Sequence, residues 1–282
     1  MTDAVGGYAE YAASHDAEML GRFIVPAGRL ADFSEVAAPH LPRGKSAKPW
    51  PIAAVLGDRL GTEFLGIPKF NYEHRAEAGS GRAVIDSIEI RAKSAAQVGQ
   101  ITSAIQKAFK VFVEVPANKL DPAVMDAIAA AGFSAKIRMG GTEPRAFPAA
   151  RSVVAFMQAC RERGISFKAT AGLHHIVCGS YPLTYEPHSP KSPMFGFLNV
   201  FLGAAFLYAG AEMAEVERIL GERDPGAFVF DDSEIQWRGA ALSLEQIRTA
   251  RRKFALSFGS CSFTEPVQEL KTLIAQKLGT PT

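Results

Sequence analysis

Four short apolar runs carry ionisable residues interleaved among apolar ones. They are Ile85-Asp86-Ser87-Ile88-Glu89-Ile90-Arg91, Val111-Phe112-Val113-Glu114-Val115, Ala135-Lys136-Ile137-Arg138-Met139 and Phe167-Lys168-Ala169-Thr170-Ala171. Side chains along a strand alternate between its two faces. If Ile88 and Ile90 face one layer, then Ser87, Glu89 and Arg91 face the other, and Asp86 goes with the isoleucines. The same alternation sends Phe112 and Glu114, Lys136 and Arg138, and Lys168 and Thr170 to a single face. Buried charge is costly unless paired. Such a set is therefore either a self-neutralising ion network or a site for an anionic or carbonyl substrate. A lysine among cations, or in a dry pocket, becomes an amine nucleophile toward carbonyls. One lysine could form a Schiff base while Glu114 relays protons. Spacing does not choose between Lys136 and Lys168. Both could instead do no more than bind phosphate or carboxylate.

Other residues extend the candidate site. Gly172-Leu173-His174-His175 follows the Lys168 run. Adjacent histidines point in different directions, so His174 is read as a general acid or base and His175 as a substrate contact. Glu89, Arg91, Arg138 and Thr170 join His175 in binding. Three glycine turns follow strands: Gly140-Gly141-Thr142, Gly172, and Gly259-Ser260 before Cys261-Ser262. Glycine lets backbone amides approach a phosphate, and a following helix N-terminus favours the anion. Thr264, ahead of Glu265 and Pro266, reads as an N-cap, so Gly259 and Ser260 are candidate phosphate contacts. Cys261 reads as a small buried residue, with a reactive thiol as the alternative. Glu114, Asp231, Asp232 and Glu234 could offer oxygens to a metal. There is no H-E-x-x-H, H-x-H or C-x-x-C spacing, and neither metal nor cofactor is expected. Trp50 and Trp237 are read as packing residues.

These side chains need elements to hold them. Apolar runs read as strands near Phe23–Pro26, Ile52–Leu56, Val84–Arg91, Val111–Val115, Ala135–Met139, Phe167–Ala171, Phe228–Asp231 and Ala255–Phe258. Amphipathic stretches such as Ala95–Phe109, Pro122–Ala131, Arg151–Arg163 and Leu244–Phe254 lie between them. Alternation of this kind means parallel strands with crossover helices. Eight strands predict an α/β chain folded as one (β/α)8 TIM barrel over residues 1–282, with an N-terminal helical extension over about residues 1–20. A doubly wound open sheet is the competitor, without a G-x-G-x-x-G or P-loop fingerprint. In a barrel, catalytic groups come from the C-terminal ends of strands. The proline-rich stretch Ser180–Pro193 would then cover the mouth.

Composition narrows the classes. The 282 residues are 48% hydrophobic and 21% charged, which excludes a disordered chain or a disulfide-stapled mini-domain. Thirty-one Lys and Arg against 29 Asp and Glu leave a net charge of +2. That balance gives no footprint for nucleic acid and no polybasic membrane segment. Cys160, Cys178 and Cys261 are odd in number and scattered, which fits a reducing compartment and a cytoplasmic location. Met1 to Glu18 shows no secretory pattern. Met194–Ala211 is apolar enough to raise a membrane span. Its three glycines and Asn199 favour a buried helix or an interface helix, and a homo-oligomer is expected.

Three pieces resemble class I (Schiff-base) aldolases with a barrel fold, most nearly the deoxyribose-phosphate aldolase type. Lys168-Ala169-Thr170-Ala171-Gly172 is similar to that group's lysine, three small residues and glycine. Lys110-Val111-Phe112-Val113-Glu114 resembles its K-V-x-x-E strand, and Val84-Ile85-Asp86 the strand carrying a proton-relay aspartate. The resemblance implies making or breaking a carbon–carbon bond beside a carbonyl, with Lys168 as the imine lysine and a second lysine nearby. The expected activity is an aldolase-like lyase acting on a small phosphorylated or carboxylated carbonyl compound. Two alternatives use the same residues. One is a phosphoribosyltransferase or sugar-phosphate isomerase that binds phosphate without an imine. The other is a non-catalytic barrel acting as an assembly partner through Met194–Ala211.

Overall fold

Strands and helices alternate along the chain where the apolar runs and amphipathic stretches do. A computed structural model describes residues 1–57, 59–76, 79–105 and 108–278, with the side chains of 276–278 excepted. The chain divides into two units, Met1–Glu114 and Val115–Thr282. The first holds α1 (Thr2–Ala13), β1 (Phe23–Pro26), α2 (Leu30–Ala37), β2 (Trp50–Val55), α3 (Leu60–Glu73), β3 (Ala83–Arg91), α4 (Ala95–Ala104) and β4 (Lys110–Glu114). Its four strands pair in sequence order and in parallel. Phe23, Phe33, Phe70, Tyr8 and Trp50 are all buried in its core, as Trp50 was expected to be. Large side chains buried this way contribute roughly 1.5–3 kcal/mol each. Ser94 caps α4 by accepting from Gln97 N. The helix expected over Ala95–Phe109 is seen to Ala104; residues 106 and 107 lie outside the described residues.

The second unit holds α5 (Pro122–Ala130), β5 (Ser134–Arg138), α6 (Ala150–Glu162), β6 (Phe167–Thr170), β7 (Gly179–Pro182), β8 (Lys191–Met194), α7 (Phe197–Tyr208) and α8 (Met213–Leu220). It continues with β9 (Phe228–Phe230), β10 (Glu234–Trp237), β11 (Ala240–Ser243), α9 (Leu244–Lys253), β12 (Ala255–Gly259) and α10 (Thr264–Leu278). β5 pairs with β6, and β6 with β12, in parallel. Asp121 caps α5 with Pro122 at its first position, and Ser243 with Gln246 closes a capping box on α9. Thr264 is the first residue of α10 rather than its cap. Ser262 Oγ accepts from Glu265 N instead.

The chain is α/β with one parallel sheet of seven strands, ordered β1-β2-β3-β4-β5-β6-β12. The closed eight-stranded barrel is therefore corrected. Among the described residues β1 and β12 are the two ends of that order. The segment read as the seventh barrel strand is extended, but it belongs to an antiparallel sheet, β11-β10-β9. A two-residue turn, Arg238-Gly239, folds β10 onto β11, with φ of 46° and 88°. Both central residues are left-handed, as a type I′ hairpin turn requires. The short connection over residues 231–233, closed by Asp231 N donating to Glu234 O, gives Phe228–Phe230 its antiparallel neighbour, β10. The stretch Ser180–Pro193 forms most of a second hairpin, β7 with β8.

The apolar stretch Met194–Ala211 contains α7, only 12 residues long. No helix among the described residues is long and apolar enough to cross a membrane. α7 is buried through Val200, Leu202 and Gly203 to Leu207. Its Phe206 joins Ile219, Phe228, Ile235, Trp237 and Leu242 in the unit's core.

One buried acid anchors this core to the antiparallel sheet. Glu222 accepts from Arg238 Nε (2.6 Å) and Nη2 (3.1 Å), from Trp237 Nε1 (3.1 Å), and from the N–H groups of Arg223 and Asp224. The Arg238 guanidinium outweighs burial and holds the carboxyl at about 2, below its ordinary 4.5. A carboxyl lowered in the folded state stabilises above its unfolded value and loses that contribution as pH falls through the folded one. The unit is therefore expected to lose stability between about pH 4.5 and pH 2. Glu222→Gln is expected to flatten that slope in urea titrations read by Trp237 fluorescence. An unchanged slope would remove Glu222 from the account.

Candidate active site

The first unit places its candidates on β3 and β4. Ser87 and Glu89 are buried, with Glu89 only 1% exposed. Arg91 and Glu114 are register partners on neighbouring parallel strands. Arg91 donates to Glu114 Oε1 from Nη2 (2.7 Å) and Nε (3.2 Å). Asp86 lies outside this set, as its place in the alternation requires. Its two oxygens accept from Arg22 Nε (2.6 Å) and Nη2 (2.8 Å). The carboxylate that the aldolase resemblance would make a proton relay is thus occupied by a guanidinium fork.

The second unit places Lys136 and Lys168 side by side. They are register partners on β5 and β6, 7% and 6% exposed, and each engages in further interactions. Two residues along, Arg138 is paired in register with Thr170. Arg138 is exposed at the strand end, whereas Thr170 is buried and donates to Ile137 O (3.4 Å). On the other side of β6, Ser257 and Gly259 of β12 align with Lys168 and Thr170.

β6 runs straight into the histidine turn, and four elements hold that turn. Met139 N donates to Thr170 O beyond the end of β5, and Ala171 N donates to Gly259 O of β12. The first N–H groups of α7, on Phe197 and Leu198, donate to His175 O and Ile176 O. Cys178 N donates to Asn199 Oδ1 of α7 (2.8 Å), and Ile176 N to Glu269 Oε2 of α10 (2.8 Å). Backbone groups that miss a ladder must find such partners.

α10 supplies one carboxylate to each histidine. Glu265 and Glu269 are four residues apart, hence on one helix face. His174 Nδ1 lies 3.1 Å from Glu265 Oε2, and His175 Nδ1 lies 2.7 Å from Glu269 Oε1. His175 also stacks on Tyr181 of β7, with ring centroids 3.5 Å apart. Burial would raise the Glu269 carboxyl. The hydrogen bonds from His175 and Ile176 N outweigh it and hold the group below its ordinary value.

Cys261 completes the cluster. It is exposed, whereas Cys160 and Cys178 are buried. Its Sγ lies 3.6 Å from His174 Nε2 and 3.8 Å from Nδ1, and Ser260 Oγ lies 3.2 Å from Nδ1. Tyr185, in the turn between β7 and β8, donates to Glu265 Oε2 (2.8 Å). The Cys261 thiol and then Glu265 raise the His174 imidazole above its ordinary value, against burial. The imidazole in turn holds the Cys261 thiol low, again against burial. The reading of Cys261 as a small buried residue is therefore overturned. Glu265 and Glu269 were missed as partners of the histidines because they lie 91 and 94 positions away along the chain, and Tyr181 and Tyr185 because their stretch was read as a loop and not as the β7–β8 hairpin. Two acids four apart at the start of a helix were the available signal.

The glycine turns have a packing reason. A Cβ on Gly172 (φ 69°) would lie 3.0 Å from Gly140 Cα and 3.0 Å from Met139 O. The loops after β5 and β6 thus touch backbone to backbone, two residues before His174. Beside this contact a cleft of about 440 Å³ is lined by Pro144, Phe147, Pro148, Cys178, Met194 and Phe195. Asp231 lies elsewhere, where its Oδ1 accepts from Ser233 N, Ser233 Oγ and Glu234 N and closes a turn. No group of three or more His, Cys, Asp or Glu among the described residues could hold a metal ion. No protein-family model matches the chain, and no curated protein is similar to it.

Proposed function

We propose that the second unit acts on a small carbonyl compound through an imine on Lys168, as an aldolase-like lyase. The observation that carries this reading is the buried register pair, Lys136 beside Lys168, on the two strands whose ends lead into the glycine contact and the histidine turn. A lysine attacks a carbonyl as its neutral amine. The Lys168 amine adds to the carbonyl carbon, and water leaves to give a protonated imine. That cation withdraws electrons from the adjacent carbon–carbon or carbon–hydrogen bond. His174, six residues further along the same segment, handles the protons, and Arg138, exposed at the end of β5, offers charge to an anionic substituent.

Borohydride trapping tests the reading. Small aldehydes, ketones and sugar phosphates are offered in turn, and products are read by intact mass and peptide mapping. The expected result is a substrate-sized adduct on Lys168, absent from Lys168→Met. An adduct on Lys136 would move the nucleophile to β5. The absence of any lysine adduct across the panel would discard the imine.

A further inference from the structure

We propose that Cys261, His174 and Glu265 form a second covalent centre, a thiol acyl-transfer site that takes a small ester or thioester. The proposal stands on the cluster alone and needs no imine. A covalent nucleophile requires a base within reach and a third group that orients the base. All three are present in that order. Cys261 Sγ is 3.6 Å from His174 Nε2, and the other ring nitrogen is 3.1 Å from Glu265 Oε2. A carboxylate on Nδ1 fixes the tautomer that leaves Nε2 toward the sulfur and stabilises the imidazolium that forms.

The surroundings fit a nucleophile rather than a packing residue. Reactive cysteines sit in partly exposed, electropositive places, often ahead of a helix N-terminus. Cys261 is exposed and lies three residues before α10, a helix of 15 residues. The groups facing it are His174 from the turn after β6, Tyr185 from the β7–β8 hairpin, and Glu265 with Ser260 from its own segment. Tyr185 steadies the same oxygen of Glu265 that faces His174. Thiol and imidazole are shifted in opposite directions, toward a thiolate beside an imidazolium.

The step balances without a further reagent. The thiolate attacks the acyl carbon, and a carbon–sulfur bond forms. The bond to the leaving oxygen or sulfur breaks, and the His174 imidazolium gives that atom its proton. In the second half, water attacks the acyl-enzyme while His174 takes the water's proton. The carbon–sulfur bond breaks, and a carboxylic acid leaves with thiolate and imidazolium restored.

The whole chain is incubated with p-nitrophenyl acetate, and separately with an acetyl thioester. It is then quenched in acid and mapped by mass. The expected result is one acetyl group per chain on Cys261, with a matching burst of p-nitrophenolate. His174→Ala is expected to slow acylation at neutral pH by about 10²–10⁴-fold, and Cys261→Ser to remove it. Glu265→Gln is expected to move the midpoint of the pH–rate profile toward that of an ordinary thiol, about 8.5. The wild-type profile of iodoacetamide alkylation needs no variant. Cys261 is expected to react below that midpoint while buried Cys160 and Cys178 stay unlabelled. No acetyl on Cys261 with either probe overturns the proposal, as does an acylation rate indifferent to His174→Ala. Acylation is read on Cys261 and imine trapping on Lys168, so either can fail without the other.

Discussion

Asn199→Ala is expected to destabilise the second unit by about 3–4 kcal/mol. The side chain is fully buried inside an otherwise apolar helix and makes three hydrogen bonds. Its Oδ1 accepts from Cys178 N, and its Nδ2 donates to Ile219 O (2.7 Å) and Glu222 O (2.8 Å). Ile219 O keeps a second donor, Glu222 N. The truncation therefore strands the Cys178 N–H and one carbonyl, and each such buried group costs roughly 1–3 kcal/mol. Asn199→Leu preserves volume but not hydrogen bonds, so it is expected to cost nearly as much. Urea unfolding read through Trp237, in a Trp50→Phe background, measures both. A loss under about 1 kcal/mol in either variant would mean that the three bonds are replaced without cost. Because Cys178 N closes the histidine turn, Asn199→Ala should also slow labelling of Cys261.

Gly172→Ala is the second large effect, and it falls on the site more than on the core. A left-handed φ costs an L-residue about 1–2 kcal/mol. Gly172 stands at φ 69°, directly after Ala171 at 62°. The added Cβ would also press on Met139 O and Gly140 Cα at 3.0 Å, and neither atom belongs to a side chain that can swing away. A total of about 2–4 kcal/mol is expected from strain and overpacking together. His174 follows two residues later, so its distances to Cys261 and Glu265 open with the loop. The expected readout is a fall in Cys261 alkylation to the level of His174→Ala while the fold persists. Gly140→Ala enters the same gap, but its nearest neighbour is the Phe147 ring. The double variant should cost less than the two singles summed, because one displacement relieves both. Full additivity would show that the loops do not share the contact.

The strands were legible because each is a local pattern. Phe23–Pro26, the Glu89 run and the Lys168 run all lie in strands near their expected bounds. Ser243 with Gln246 is a capping box on four adjacent residues. Phe228–Phe230 was equally legible as a strand, yet its neighbours were not, since pairing depends on which other strand reaches it first. Here the short connection over residues 231–233 delivers β10, and the Arg238-Gly239 turn adds β11.

Alternation along each strand assigned Lys136 and Lys168, and Arg91 and Glu114, to one face, because side-chain direction has a period of two in any strand; that they are register partners was decided by strand pairing. Composition alone set the class of chain, and no spacing in it carries the thiol cluster. His174 and Cys261 are 87 positions apart, and His174 and Glu265 are 91. Their meeting depends on β12 pairing with β6, which brings the start of α10 to the turn that β6 feeds. The sequence by itself determined the seven strands of the parallel sheet and β9, since backbone preference and hydrophobic period are local, whereas β7, β8, β10 and β11 were not among the strands read from it. Tertiary structure alone decided that a histidine after β6, a cysteine after β12 and the first turn of α10 form one site. Their contacts are closed by strand pairing and backbone capping over long loops, and no short stretch of chain contains that information.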